Sequence, residues 1–321
     1  MCNVIDFNAK GEFSLWRVAM VNGEWPLVTI GIPTYNRSGS FLRDTIKSAV
    51  NQSYRKLEII ISDNCSTDGT ENTVRQFNDE RIRYFKHQKN IGANNNFNYC
   101  VKEAKGKYFL LLHDDDLIDK DFIEVCVRAA SFKKEVGIIC SGARVVDERG
   151  SVLKETKNTS GGLPLNEFFI NWFQSKTPLY LCSTLFNTKR LQELGGFHSK
   201  HNLYQDVVAE CLLSARFGRI DVEDVKASFR KHTLQNTNLA DIRAWSEDSL
   251  YLLEKICESN PQNSEVLRSM GFDHFLKRNF NLVGKIQSPI KRLRGYLMLF
   301  ITFGYPIGFF MSQLNMRLRL N

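Results

Sequence analysis

Asp114, Asp115 and Asp116 stand side by side, directly after His113 and an apolar run at 108–112 (YFLLL). Five apolar residues in a row read as a buried strand, which the charged residues end abruptly. Three neighbouring carboxylates repel one another, so a strand end that carries them needs a cation or solvent for compensation. Hard divalent cations such as Mg²⁺ and Mn²⁺ prefer carboxylate oxygens and are often completed by substrate phosphates. The same residues would also serve as a solvated acidic turn before the helix read at 121–133, because acidic side chains favour helix starts.

Other strand ends carry polar groups too. A strand at 27–32 (LVTIGI) is ended by Pro33 and followed by TYNRSGS, and a strand at 57–61 (LEIII) leads to Asp63. Open α/β sheets place their ligands at such carboxyl ends. Asp68, Gly69 and Thr70 read as a turn, and Asp68 with Glu71 resembles a capping box for the next helix. A third strand at 81–85 precedes a helix that runs through Ala104. Asn90, Asn94, Asn95 and Asn96 before and within it are either turn and cap residues or hydrogen-bond partners for a polar ligand.

The elements that must position these residues follow from periodicity. Phe41, Leu42, Ile46, Ala49 and Val50 recur at helical spacing between the first two strands. A strand, helix, strand order predicts parallel pairing through a right-handed crossover. The polar ends after Ile32, Ile61 and Leu112 then face one edge. Farther on, 137–141 and 183–187 read as strands, 147–151 as a turn and 163–172 as a short helix. LGGFHSKHNLYQD leads to Asp206, after which Val207, Val208, Cys211, Leu212 and Ala215 keep helical spacing. Asp206 on its own could cap that helix. Apolar spacing at 240–280 fits two more helices.

With 321 residues, 43% of them hydrophobic, the chain can form one large α/β domain with an extension. Its eight cysteines are scattered without a CxxC pair, which argues against a zinc site and a disulfide framework and for a reducing compartment. The start, MCNVIDFNAKGEF, lacks a basic stretch followed by an apolar core, so a cytoplasmic location is expected. Net charge is +8, and six of those charges sit in the last segment, where Lys285, Lys291, Arg292, Arg294, Arg317 and Arg319 have no acidic neighbour. The remainder is nearly balanced, which speaks against nucleic acid as a partner. Within that segment, 22 uncharged residues at 295–316 are interrupted by Gly304, Pro306 and Gly308. Basic flanks and a broken apolar run suit peripheral membrane contact at the interface, with packing on protein or a true span as the other readings.

Five motifs make a specific resemblance. PTYNR at 33–37, SDNCSTDGT at 62–70, NIGANNNFN at 90–98, GKYFLLLHDDD at 106–116 and LGGF at 194–197 resemble, in order and spacing, those of a family 2 glycosyltransferase. The resemblance covers roughly 26–231 and implies the GT-A fold, an α/β Rossmann-like architecture with a mostly parallel central sheet. Beside that coverage, which says nothing of either end, the chain is expected to divide into an N-terminal extension at 1–25, a transferase domain at 26–235 and, from its apolar spacing, a C-terminal helical region with the basic tail at 236–321.

The resemblance also implies roles. Pro33, Thr34, Tyr35, Arg37 and Asp63 would hold the base and ribose of a nucleotide sugar, and Asn90 and Asn94 would add contacts. The aspartates resemble the family's DxD motif for Mg²⁺ or Mn²⁺. Many relatives begin it one residue earlier with Asp, where this chain has His113. Alignment on Leu117 favours Asp115 for the metal and Asp114 for the ribose or sugar, with Asp116 a second metal candidate. Relatives carry an acidic pair whose second member is the catalytic base; here Gln205 precedes Asp206. FRKHT at 229–233 resembles a segment that brings a basic residue or histidine, here His232, near the diphosphate. The activity implied is inverting hexosyl transfer from a UDP- or dTDP-sugar to an acceptor hydroxyl; the basic apolar tail points by analogy to a glycan or lipid-linked glycan acceptor, as in O-antigen or capsule assembly at the inner face of the cytoplasmic membrane. Two other classes remain. A sugar nucleotidyltransferase would be expected to show a Gly-rich loop with Arg and Lys after the first strand, which PTYNRSGS does not offer. A catalytically silent sugar-nucleotide-binding relative would have no need of both the aspartates and Asp206.

Overall fold

The computed structural model describes residues 25–130, 135–232 and 241–304. Nearly all of the N-terminal extension and the part of the basic tail beyond Gly304, with Pro306, Gly308, Arg317 and Arg319, lie outside them.

Strands β1 (Val28–Thr34), β2 (Leu57–Asp63), β3 (Ile82–Lys86) and β4 (Tyr108–Leu111) pair in parallel in the order β3-β2-β1-β4. Helices α1 (Ser40–Val50), α2 (Thr70–Arg75) and α3 (Ala93–Glu103) make the crossovers. The strands are apolar at successive positions because both faces are covered. Ile59 and Ile61 pack with Leu42 and Ile46 of α1, whereas Ile60 packs with Cys100 and Val101 of α3. Each such side chain contributes roughly 1.5–3 kcal/mol by leaving water. The crossing of α3 over β1 is close: a Cβ on Gly31 would lie 2.7 Å from Cys100 Cβ and 2.8 Å from the Phe109 ring.

Pro33 does not end β1. The strand runs on to Thr34, paired with β2 as far as Thr34 opposite Asp63, while its Cα register with β4 stops at Gly31 opposite Leu111. Beyond that point β1 is an edge on one side, where a proline forfeits no ladder bond. The chain goes out through β2 and β3 and then returns to the other flank of β1. That reversal opens a crevice outside the strands' carboxyl ends.

The second half of the sheet is mixed. After β5 (Leu117–Ile118) and α4 (Phe122–Ala130) come β6 (Ile138–Val146), β7 (Val152–Thr156), α5 (Leu165–Phe173), β8 (Thr184–Asn187), α6 (Thr188–Glu193), α7 (Gln205–Phe217) and β9 (Arg219–Arg230). β8 lies antiparallel between β4 and β6, β9 runs parallel to β6, and β5 pairs antiparallel with β9. The turn at 147–151 closes the β6–β7 hairpin, with Asp147 Oδ1 accepting from the N–H groups of Arg149 and Ser151 at 2.9 and 2.8 Å.

Helices α8 (Ile242–Glu258), α9 (Ser264–Gly284) and α10 (Pro289–Phe303) complete the described chain. They share a core with α5 and α7, in which Trp245, Leu252, Phe275 and Leu299 meet Phe168, Phe169, Val207 and Cys211. The helix that carries Asp206 is therefore packed from behind by the C-terminal helices. Ser288 caps α10, and the helix stops at Gly304, whose left-handed φ of 60° glycine adopts without a Cβ penalty. No helix among the described residues is long and apolar enough to cross a membrane.

Candidate active site

The loops after β1 and β2 are joined by hydrogen bonds. Ser66 Oγ accepts from the N–H of Asn36 at 2.8 Å, and Asn36 Oδ1 accepts in return from Thr67 N–H at 2.9 Å. Thr70 Oγ1 accepts from Arg37 N–H at 2.8 Å. Asp68 binds Ser38 N–H through Oδ2 and Thr70 N–H through Oδ1, each at 3.0 Å. The capping box expected from Asp68 and Glu71 does not form. Gly69 is the N-cap without a side-chain bond, because Asp68 is spent on bridging the loops, and Glu71 pairs with Arg75 and Lys86.

Asp63 sits beneath this double loop and is fully buried. Its Oδ1 accepts from Ser66 N–H at 2.7 Å and its Oδ2 from the Tyr84 hydroxyl at 2.6 Å. The carboxylate expected to meet the base is thus also the anchor that shapes the loop. Pro33 and Thr34 are buried at the strand end, whereas the Tyr35 ring is 45% exposed and free to stack on a planar ligand.

The asparagines divide by function. Asn90 Oδ1 accepts from Asn64 Nδ2 at 3.0 Å and from Gly92 N–H at 2.8 Å, while Asn64 Oδ1 accepts from Ile91 N–H at 2.8 Å. That clasp spends the Asn90 oxygen inside the protein. Asn96 binds Ser62 through both its carbonyl and its amide. Asn94 Oδ1, by contrast, is buried with no partner, an acceptor suited to a donor group brought by a ligand.

The aspartates form a tight turn, closed by Asp116 N–H donating to His113 O at 3.1 Å. Strand β5 leaves the turn and pairs with β9, so the end of β9 passes beside the carboxylates. Arg230 donates its backbone N–H to Asp116 Oδ1 and its Nε to the Asp115 carbonyl, both at 2.9 Å. His232 Nε2 lies 2.7 Å from Asp115 Oδ2, and Arg37 Nε lies 3.5 Å from Asp114 Oδ1. Burial pushes the Asp114 carboxyl up to about 7; Asp115 adds to the shift and Arg37 opposes it. Burial, then Asp115, raises Asp116 as well.

Three ligand atoms, one each from His113, Asp115 and Asp116, lie within 4.8 Å of one another. His113 Nε2 is buried without a hydrogen-bond partner. Two carboxylates and an imidazole in a turn that resists full ionisation fit a divalent cation, whose charge would let the aspartates ionise together. His113 adds a ligand candidate to Asp115 and Asp116 at the position where the family motif more often has Asp.

Asp206 occupies the first turn of α7. The N-cap is Tyr204, with no side-chain bond, so Asp206 is not the N-cap residue. Burial raises its pKa, while the N–H of Val207 and the nearby His113 and Arg278 pull the other way. One turn on, buried Glu210 accepts from Thr184 Oγ1 at 2.7 Å and has its other oxygen unpaired. Burial, then the charge of Asp206, pushes Glu210 up to about 8.

Three side chains hold the chain that leads into α7. Asn98 accepts Phe197 N–H at 2.7 Å and donates to Phe197 O at 3.1 Å. It presses against Gly196, whose φ is +89° and where a Cβ would come within 2.3 Å of Asn98 Oδ1. The LGGF glycine thus answers both a left-handed backbone and a close neighbour. Asp248 of α8, fully buried, accepts from Ser199 Oγ, His201 N–H and Leu203 N–H at 2.7 Å each, and from Tyr204 N–H at 3.2 Å. Arg278 of α9 stacks on Tyr204 and Trp245 and donates to the Tyr204 hydroxyl.

Arg37, Asp114, Asp115, Asp116 and His232 therefore meet at one turn, and Asp206 feels the charge of His113 beside it. Sequence reading passed over Arg230, Glu210, Asp248 and Arg278. The model of glycosyl transferase family 2 matches residues 29–194. The chain belongs to glycosyl transferase family 2.

Its relatives are enzymes of varied length. An uncharacterized glycosyltransferase of Rickettsia felis is 36% identical over 185 residues, 56% of this chain but only 30% of the relative. The GalNAc(5)-diNAcBac-PP-undecaprenol beta-1,3-glucosyltransferase of Campylobacter jejuni is 33% identical over 133 residues, 40% of this chain and 42% of the relative. The chain thus spans less than half the length of these relatives. Residues 1–349 of S. aureus TarS, solved with UDP, align with a TM-score of 0.64 at 18% identity, over 86% of this chain and 80% of that one. Mannosyltransferase PcManGT of Pyrobaculum calidifontis, solved with GDP-Man and Mn²⁺, aligns at 0.59 and 17% identity, over 95% and 87%. At such identities the likeness is one of fold, and that fold is GT-A.

Proposed function

We propose that this family 2 glycosyltransferase moves a hexosyl group from a UDP- or dTDP-sugar to a hydroxyl of a glycan or lipid-linked glycan, with inversion, in bacterial surface polysaccharide assembly. The observation that carries the reading is the gathering of Arg37, His232 and the His113–Asp116 cluster at one turn, with the half-buried Asp206 near enough to His113 to feel its charge. The bridged loops after β1 and β2 offer a pocket for base and ribose, with Tyr35 at its rim, and Asn94 offers an unpaired acceptor. The structural neighbours with UDP and with GDP-Man favour a nucleoside diphosphate donor, and the Campylobacter relative favours a lipid-linked acceptor.

Asp206 takes the proton of the acceptor hydroxyl as its oxygen bonds to the anomeric carbon. The bond from that carbon to the diphosphate breaks on the opposite face, and the electron pair leaves with the nucleotide. A carboxylate whose pKa burial has raised is a better base than a solvated one, and such help is typically worth ~10²- to 10⁴-fold. Arg37 and His232 stand where they can pair with phosphate oxygens once these displace Asp114 and Asp115. Asp115, Asp116 and His113 would hold Mg²⁺ or Mn²⁺, which supplies charge neutralisation on the departing diphosphate. This chemistry belongs on the cytoplasmic side, where nucleotide sugars are made.

A thermal-shift screen of UDP-, dTDP- and GDP-sugars with and without Mn²⁺ tests the reading, since a ligand at 100 times its Kd stabilises the fold by about 2.7 kcal/mol. One donor should raise the melting temperature only with metal, and Asp115→Ala should abolish that dependence. A chain that no nucleotide sugar stabilises at millimolar concentration overturns the proposal.

A further inference from the structure

We propose that the outward face of α10 is a docking surface for an anionic lipid bilayer. The inner face of this helix, with Gly295, Tyr296, Leu299 and Phe303, is buried against α8 and α9. Its outer face carries four large aliphatic side chains that remain open: Ile290 is 69% exposed, Leu293 62%, Leu297 55% and Ile301 70%. Successive helical residues turn by about 100°, so these four fall within an arc of about 80°, opposite the buried stripe. A helix that met only water there would carry polar residues. Contiguous aliphatic exposure of this kind marks an interaction surface.

The charge beside the strip selects the partner. Lys291 and Arg294 are exposed next to the aliphatic residues, and residues 285–321 hold six Lys and Arg and no Asp or Glu. Protein interfaces gain most of their affinity from buried Trp, Tyr and Arg anchors at the centre of the patch. This strip has only Leu and Ile at its centre, with cations along the side. That is the pattern of a helix lying in a headgroup layer, aliphatic groups below and cations against lipid phosphates. The 15 residues of α10 rise about 22 Å, against about 30 Å of hydrocarbon, so the helix lies along the surface. The proposal needs neither donor nor acceptor and stands apart from the reaction.

Co-sedimentation of the full chain with vesicles tests it. Vesicles of phosphatidylglycerol mixed with phosphatidylcholine should bind the protein, phosphatidylcholine alone should bind it far less, and added salt should weaken the difference. Leu293→Glu with Leu297→Glu should reduce binding at least about tenfold with an unchanged melting temperature. Leu297→Ser with Ile301→Ser provides a milder pair should the first disturb the fold. Binding that survives both pairs overturns the assignment to α10, as does a wild-type chain that ignores anionic vesicles. A wild-type dimer that the Glu pair converts to monomer, without vesicle binding by either, overturns it in favour of a second copy on this face.

Discussion

The carboxylate of Asp248 accepts the backbone N–H of Leu203 at 2.7 Å, and through this bond a helix of the C-terminal region grips the loop that delivers Asp206. Three further bonds from Ser199, His201 and Tyr204 end on the same carboxylate. The loop that leads into α7 is thus set from outside the sheet.

Asp248→Asn keeps the shape of the side chain but can accept at only one oxygen, so at least one backbone N–H of the loop loses its partner. Each lost bond to a buried group costs about 1–3 kcal/mol. Transfer should fall about tenfold or more, with donor affinity unchanged, because the loops after β1 and β2 proposed to hold the nucleotide lie elsewhere. Equal losses of donor affinity and turnover would assign Asp248 to general stability instead.

Asp206→Asn leaves charge as the main change in the first turn of α7. Donor binding should stay normal while transfer drops by ~10²-fold or more, since an amide cannot take the acceptor proton. Near-normal turnover on the same preparation removes Asp206 from the role of base.

Asp63→Ala should weaken nucleotide binding and lower stability together, because the side chain holds Ser66 and Tyr84. Tyr84→Phe separates the two effects by deleting one of those bonds and leaving the carboxylate. If Asp63 acts through the loop, Tyr84→Phe reproduces part of the affinity loss in calorimetry. A Tyr84→Phe protein with full UDP and dTDP affinity leaves direct contact as the role of Asp63.

Glu210 carries a pH signature. Its pKa rises from 4.5 to about 8 on folding, so the folded chain binds the extra proton between these values. The associated stability is present in full below pH 4.5 and is lost as pH rises through 8, by an amount on the order of a few kcal/mol. Glu210→Gln, which can still accept from Thr184, should flatten that decline. Its melting temperature should gain on that of the wild type from pH 5 to pH 9, and parallel curves would show that Glu210 ionises freely.

Much of the first half was legible because each polar residue there closes an apolar strand in a parallel set. The loops after β1 and β2 and the aspartate turn announce themselves by that break in pattern. Pro33 misled only locally, since the edge that makes it tolerable depends on where β4 stops. β9 escaped notice because Glu223 and Asp224 interrupt its alternation, and with it went Arg230, which sequence leaves 114 residues from the Asp116 it binds. Glu210 and Asp248 lie inside amphipathic helices, where an acidic residue ordinarily faces water. What sets them apart is burial, which depends on how α7 and α8 pack and leaves no trace in spacing.

The clasp between Asn64 and Asn90 bears on protein engineering. On the proposal that the loop after β2 meets the donor, exchanging that loop for a relative's is the natural route to a new donor preference. Because Asn64 holds both Asn90 and Ile91, an imported loop lacking that asparagine would also release the turn ahead of α3 and, with it, the helix that carries Asn94. A working chimera would have to import 64–70 and 87–92 as one cassette.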